Sequence, residues 1–132
     1  MAPRRKVLII DDDKVILDLV SRVLSKNGYQ AVVSPSVEDG LEQFGHVTYD
    51  LVMIDLFMEG VGGIEGIRLI REQREDVKII AISAGYDDMD SADALAAAKK
   101  IGADAVLPKP LEFNELPGLI EEILEDSAEG PG

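Results

Sequence analysis

Short runs of apolar residues, each ending at a polar group, divide this chain into a repeating pattern. The runs predict strands at 7–10, 30–33, 49–55, 78–83 and 105–107. Most of them are continuously apolar instead of alternating, which is typical of strands covered on both faces in a parallel sheet. Helical patterns separate them. Five strand–helix units in alternation predict an α/β fold.

The helices are predicted from their caps and apolar stripes. Asp13 is expected to cap a helix over 14–27, which stops at Asn27-Gly28, and Ser36 is expected to cap a helix that runs to about residue 44. Two further helices follow, one with Ile64, Ile67 and Ile70 inward, the other capped by Ser91, with Ala92, Leu95 and Ala96 inward, and ended by Gly102. The last has Asn114 as its cap, with Leu116, Leu119, Ile120, Ile123 and Leu124 in register and Pro117 tolerated in its first turn.

The polar groups that follow the strands suggest chemistry. The first strand ends at Asp11-Asp12-Asp13, the third at Asp55, the fourth at Ser83 and the fifth at Pro108-Lys109-Pro110. Because the carboxyl ends of parallel strands lie along one side of a sheet, these groups should meet there. Helix capping explains Asp13 but not three successive acids. The arrangement predicts a site for a divalent cation and a phosphoryl group.

Composition narrows the function classes. The 132 residues suit one domain, and 46% hydrophobic with 30% charged residues is typical of globular proteins. No apolar run approaches the roughly 20 residues of a membrane span, no signal-peptide pattern is present, and the chain has no cysteine. We therefore expect a cytoplasmic protein. A net charge of −13 argues against nucleic-acid binding, which requires basic contacts to phosphate.

Four motifs in order resemble the receiver domains of two-component response regulators. They are LIIDDD at 8–13, DLFM at 55–58 with Gly63 eight residues after the acid, AISA at 81–84, and Gly102-Ala103 followed by LPKP at 107–110. The resemblance covers 6–125, which leaves 1–5 and 126–132 as predicted flexible ends. It implies a flavodoxin-like (βα)5 fold whose doubly wound five-stranded sheet has the order 2-1-3-4-5.

The resemblance also implies a role for each site residue. Asp55 would be the phosphoacceptor, Asp11 and Asp12 the acid pair, Ser83 the switch hydroxyl and Lys109 the cation that contacts the phosphate. The implied cofactor is Mg²⁺ or Mn²⁺, with Asp12, Asp55 and the Phe57 carbonyl as direct ligands and Asp11 acting through water. Pro110 follows Lys109, and the family shows a cis bond there.

As a receiver, the chain would be a phosphorylation-dependent switch and not an enzyme. The phosphoryl donor would be a sensor histidine kinase or histidine phosphotransfer protein, since the single histidine, His46, is predicted to be a surface residue beyond a helix end. With few residues after the last helix, we expect a stand-alone domain that acts through a separate partner or as a phosphorelay or phosphate sink. Homodimerisation is compatible with this interpretation.

The expected partner face comprises the fourth helix, the fifth strand and the last helix, with Ser83, Ala84, Val106 and Pro110 near it. Val106 departs from the family, where the position three before the lysine is often an aromatic switch. A rotating ring therefore cannot report phosphorylation at this position. Side chains two beyond the phosphoacceptor and two beyond the switch hydroxyl, here Phe57 and Gly85, suggest slow autodephosphorylation.

The sequence alone is compatible with two alternative functions. The sequence DDDKV at 11–15 fits the D-x-D-x-[TV] opening of haloacid-dehalogenase-type phosphatases, in which Asp11 would carry the phosphate, although Asp55 and Lys109-Pro110 would then be unexplained. A pseudo-receiver that only binds partners would require a broken site. The receiver interpretation also predicts that the crowded acids titrate together, with at least one pKa raised in the metal-free protein.

Overall fold

The computed structural model describes residues 4–58, 60–83, 96 and 99–128. Five parallel strands form one sheet in the order β2-β1-β3-β4-β5, as the resemblance predicts. The strands are β1 (Lys6–Ile10), β2 (Gln30–Ser34), β3 (Leu51–Asp55), β4 (Lys78–Ser83) and β5 (Ala105–Pro108). β3 is central, and β2 lies at one edge of the sheet.

Side-chain caps begin the first two helices where the sequence predicts them. The helices whose bounds lie within the described residues are α1 (Lys14–Lys26), α2 (Val37–His46), α3 (Gly63–Gln73) and a C-terminal helix (Leu116–Ala128). Asp13 accepts hydrogen bonds from the backbone N–H groups of Val15 and Ile16, and Ser36 accepts one from Asp39. α1, α2 and α3 each return the chain to the amino end of the sheet, so that the next strand again runs parallel.

The core has two layers, one on each face of the sheet. Val7 and Ile9 pack with α1 and the C-terminal helix, whereas Leu8 and Ile10 pack with α2 and α3. All four residues have no exposed surface. Burial on both faces is the reason that the strands are continuously apolar. Among the described residues, no helix combines the length and apolar character needed to cross a membrane.

Several element boundaries and inward faces differ from prediction. β3 begins at Leu51, so Tyr49 is buried outside the strand. Ile64 was predicted to face inward, but it is 50% exposed, because Gly63 and Gly66 occupy that side of α3. His46 is exposed as predicted, but it is the last residue of α2 and does not lie beyond the helix.

Several predictions for the carboxyl-terminal third of the chain also differ from the structure. Ala96 is exposed and does not face inward, whereas Ser91, Ala92 and Leu95 lie outside the described residues. Gly102 adopts a φ of +105°, which suits a predicted helix stop. The last helix starts one residue later than a cap at Asn114 requires: the Glu115 carbonyl accepts the hydrogen bond from Leu119 N–H. It continues to Ala128, into the predicted tail.

Candidate functional site

Three carboxylates meet at the carboxyl end of the sheet. Asp11 and Asp12 follow β1, Asp55 ends β3, and one oxygen from each lies within 4.8 Å of the others. Asp11 is fully buried and Asp55 is 3% exposed, whereas Asp12 is exposed to solvent. The convergence predicted from strand polarity is therefore present, with two of its acids withdrawn from water.

Lys109 connects the two buried acids. Its Nζ lies 3.0 Å from Asp11 Oδ2 and 3.1 Å from Asp55 Oδ2, and its side chain is only 18% exposed. The Lys109-Pro110 peptide bond is cis, as the resemblance implied. Among the described residues, this cluster thus brings one ammonium group together with three carboxylates.

Backbone groups hold the carboxylates in place. Asp13 N–H donates to Asp11 Oδ1 at 2.9 Å, and Phe57 N–H donates to Asp55 Oδ1 at 3.0 Å. The main chain at Asp11 is fixed as well, because Asp11 N–H donates to the Ser34 carbonyl at 3.1 Å. These backbone contacts were not predicted, since a peptide group leaves no signature in the residue types.

The fourth and fifth strands bring Ser83 close to Lys109. Ser83 is buried at the end of β4 and pairs with Pro108 of β5, and its carbonyl accepts a hydrogen bond from Lys109 N–H at 3.0 Å. The structure therefore places the predicted switch hydroxyl on the strand beside Asp55. Ala84 and Gly85 lie outside the described residues.

An apolar groove lies beside β5. Its volume is about 350 Å³, and Val106, Pro110, Leu116 and Leu119 are among its lining residues. Val106 is partly buried against the core layer formed by α2 and α3, whereas Pro110 is exposed. The groove thus occupies the described part of the predicted partner face.

Burial dominates the electrostatics of the acid cluster. It raises the pKa of Asp11, an effect that the Asp13 N–H hydrogen bond and Lys109 oppose and the Asp55 charge reinforces. This confirms the expectation of at least one raised pKa. For Lys109, burial alone would lower the pKa, but contacts with Asp11 and Asp55 outweigh it and raise the pKa. Lys109 therefore remains an ammonium ion at neutral pH.

The residues present fit a divalent cation. Asp11 Oδ2 is buried and has no aligned hydrogen-bond donor among the described residues, although Lys109 lies beside it. The convergent donors are all carboxylate oxygens, which Mg²⁺ and Mn²⁺ prefer. A cation here would satisfy Asp11 Oδ2 and offset the excess negative charge of the three carboxylates.

Comparison with known proteins identifies the family. The family model for the response regulator receiver domain matches residues 7–121. The chain belongs to the response regulator receiver family. Receiver domains accept phosphoryl groups in two-component signalling, work with sensor kinases and downstream effectors, and bind Mg²⁺ at an acidic pocket. The match gives no support to the phosphatase alternative.

Individual relatives agree with this assignment. The transcriptional regulatory protein YvrH of Bacillus subtilis is 34% identical over 120 residues, which cover 90% of this chain and 48% of the relative. Response regulator MprA of a Mycobacterium species is 30% identical over 128 residues, which cover 96% of this chain and 54% of the relative. This receiver thus spans about half the length of the curated relatives it matches.

A solved structure supports the same fold. The CheY-like receiver domain protein from Methanospirillum hungatei JF-1 superimposes with a TM-score of 0.85. The two are 24% identical in sequence, and the match covers 96% of this chain and 98% of the other. The likeness therefore extends over the whole receiver architecture.

Proposed function

We propose that this receiver is a phosphorylation-dependent switch that accepts a phosphoryl group on Asp55. The observation that carries the proposal is the Asp11–Lys109–Asp55 cluster: one ammonium contacts two buried carboxylates at 3.0 and 3.1 Å. Asp55 is the acid at the end of the central strand, and its Oδ1 already accepts a backbone hydrogen bond. Asp11 serves instead as part of the cation site.

In the reaction, a carboxylate oxygen of Asp55 attacks the phosphorus atom of a phosphohistidine. An acyl-phosphate bond forms, the phosphorus–nitrogen bond breaks, and its electron pair returns to the imidazole. Mg²⁺ or Mn²⁺, held by Asp11, Asp12, Asp55 and the Phe57 carbonyl, would neutralise charge on the carboxylates and phosphoryl oxygens. Phe57 N–H fixes Asp55 Oδ1, which orients the carboxylate before attack.

Lys109 and Ser83 respond to the new phosphoryl group. The Lys109 ammonium moves from Asp55 Oδ2 to a phosphoryl oxygen, for which a flexible point charge is suited. Ser83 hydrogen-bonds to the phosphoryl group from the neighbouring strand. Because Lys109 N–H is bonded to the Ser83 carbonyl, these two responses occur at the joined ends of β4 and β5.

The phosphoryl donor is a separate protein. His46 ends α2 and so lies at the amino end of the sheet, away from Asp55, and the chain has no other histidine. A sensor histidine kinase or histidine phosphotransfer protein therefore supplies the phosphoryl group. The groove beside β5, with Val106 and Pro110, forms part of the output face for a downstream protein.

Acetyl phosphate and site mapping test this function. The protein is incubated with acetyl phosphate, with and without Mg²⁺, and the modified residue is mapped by mass spectrometry. We expect one acid-labile and base-labile acyl phosphate, on Asp55, that requires the metal. Asp55→Asn should abolish it, whereas Asp13→Asn, which changes only a helix cap, should retain it. Label on Asp11 would contradict the proposal and favour phosphatase chemistry.

A further inference from the structure

Gly63 lies in direct contact with the main chain of the phosphoacceptor. A Cβ built on Gly63 would lie 2.1 Å from the Asp55 carbonyl oxygen, 2.8 Å from its carbonyl carbon and 2.7 Å from Leu56 Cα. Ordinary contacts of this kind are 3.4–4 Å. A side chain would therefore force α3, or the end of β3, to move by more than an ångström.

The same stretch of main chain is held on its other side by β4. Leu56 N–H donates to the Ile82 carbonyl at 2.9 Å, while Leu56 O accepts a hydrogen bond from Gly63 N–H at 3.2 Å. Because the Asp55–Leu56 segment lies between β4 and the first turn of α3, displacement of that turn transmits to Asp55. Phe57 N–H, the donor to Asp55 Oδ1, would move with it.

Two neighbouring glycines contact different groups. A Cβ on Gly66, one turn further along α3, would meet the ends of side chains: Ile54 Cδ1 at 2.8 Å and Val37 Cγ1 at 3.0 Å. A Cβ on Gly62 would meet only Leu56 O, at 3.8 Å. Side-chain ends adjust more readily than a hydrogen-bonded main chain. Alanine at these three positions would therefore distinguish a clash with the Asp55 main chain from a clash with core side chains.

We propose that Gly63 is a positioning residue for phosphoryl transfer. Without a side chain, it lets α3 begin against the Asp55–Leu56 main chain, and this contact sets the position of the Asp55 carboxylate relative to Asp12 and Lys109. The proposal rests on the proposed function of Asp55. The position of the phosphoacceptor is thus set through its main chain, by a residue that does not contact the phosphoryl group.

The test compares Gly63→Ala with Gly66→Ala, a matched glycine-to-alanine change on the same face of the same helix. The rate constant of Asp55 phosphorylation is measured at saturating acetyl phosphate and Mg²⁺, and is corrected for the folded fraction obtained from urea unfolding. We expect a loss of about 100-fold in Gly63→Ala, the size of effect that an ångström-scale misplacement produces. Gly66→Ala should stay within about threefold of wild type, and Gly62→Ala should match wild type.

A second readout separates positioning from stability. Displacement of Asp55 should also weaken Mg²⁺ binding in Gly63→Ala, whereas the loss of stability alone leaves the affinity of the folded molecules unchanged. Sucrose is added for all variants if Gly63→Ala is partly unfolded, because it favours the folded state.

Each result has one meaning. Equal corrected rates and Mg²⁺ affinities in Gly63→Ala and Gly66→Ala would overturn the positioning role while leaving the proposed function intact. If Gly63→Ala does not fold even in sucrose, while Gly62→Ala and Gly66→Ala do, the positioning role would also be overturned and a purely structural role indicated. Wild-type protein that is not phosphorylated at all would overturn the proposed function and, with it, this inference.

Discussion

The two ends of the sheet contain charged clusters that differ in how completely their charges are paired. At the amino end, the guanidinium of Arg71 donates to the Gly102 carbonyl at 3.0 and 2.7 Å, to Asp104 Oδ2 at 3.1 Å, and to the carbonyls of Glu75 and Val77. At the carboxyl end, one ammonium faces three carboxylates. The first cluster is satisfied by the protein itself, whereas the second retains excess negative charge.

This difference separates stability from function. Asp104 Oδ2 also accepts the Ile79 N–H at 2.8 Å, so the amino-end cluster ties α3, β4 and the approach to β5 together. By contrast, Asp11 Oδ2 is buried without an aligned donor in the described structure. Folding alone does not favour such an arrangement. A ligand that binds only the folded cluster can recover the lost stability.

The largest effect is expected where the amino-end cluster is broken. Arg71→Ala removes the guanidinium from the Gly102 carbonyl and leaves the Asp104 carboxylate with its Ile79 N–H donor but without the cation, and should lower the free energy of unfolding by about 2–3 kcal/mol. Urea unfolding measures this. Arg22→Ala removes an exposed ion pair with Asp18 and serves as a control with little expected effect. Equal losses in the two variants would show that the Arg71 contacts carry no special weight.

At the carboxyl end, we expect ionisation of Asp11 to lower the stability of the metal-free protein as the pH rises. The pKa of Asp11 is raised in the folded protein, so the unfolded chain loses this proton first as pH rises. Metal-free stability should therefore fall, relative to Asp11→Asn, from about pH 4 upwards until the folded pKa is passed. Urea unfolding in a chelator between pH 4 and 8 provides the comparison. A difference that stays flat or increases with pH would contradict the assigned direction.

The smallest effect concerns the lifetime of the phosphate. Phe57 is 60% exposed beside Asp55, and its ring cannot orient a water molecule by hydrogen bonding. Phe57→Asn should therefore speed acyl-phosphate decay by a few-fold, about 1 kcal/mol or less in the barrier. Phe57→Leu, which keeps an apolar side chain, should decay like wild type. Decay of Phe57→Asn at the wild-type rate, or more slowly, would count against shielding by the ring.

Strand polarity and motif order predict the carboxyl end well. The apolar runs ending at Asp11, Asp55 and Ser83 predict the convergence of these groups, because parallel strands all end on one side. The sheet order is predicted by the resemblance to receiver domains and is confirmed by the structure. The metal and phosphoryl roles of these residues remain predictions. The cation cluster was thus accessible from sequence even though its distances were not.

What the sequence does not reveal depends on backbone contacts and close packing. Ile64 has the spacing of an inward residue, yet Gly63 and Gly66 take the inner side of α3, because a close approach leaves no room for side chains there. Arg71 is unremarkable in sequence, since its partners at the amino end are mostly carbonyl groups. Neither feature produces a residue pattern that distinguishes it from an ordinary helix surface.

The most direct test of the account measures unfolding of Asp55→Asn, Asp12→Asn and Asp104→Asn, each with and without Mg²⁺. Without metal, we expect Asp55→Asn and Asp12→Asn to unfold at higher temperature than wild type, because each removes repulsion, and Asp104→Asn to unfold at lower temperature. Wild type and Asp104→Asn should gain about 2.7 kcal/mol when free metal is a hundredfold above its dissociation constant. Asp55→Asn and Asp12→Asn should gain less. If both substitutions lower metal-free stability and retain the full Mg²⁺ effect, these acids do not form the cation site.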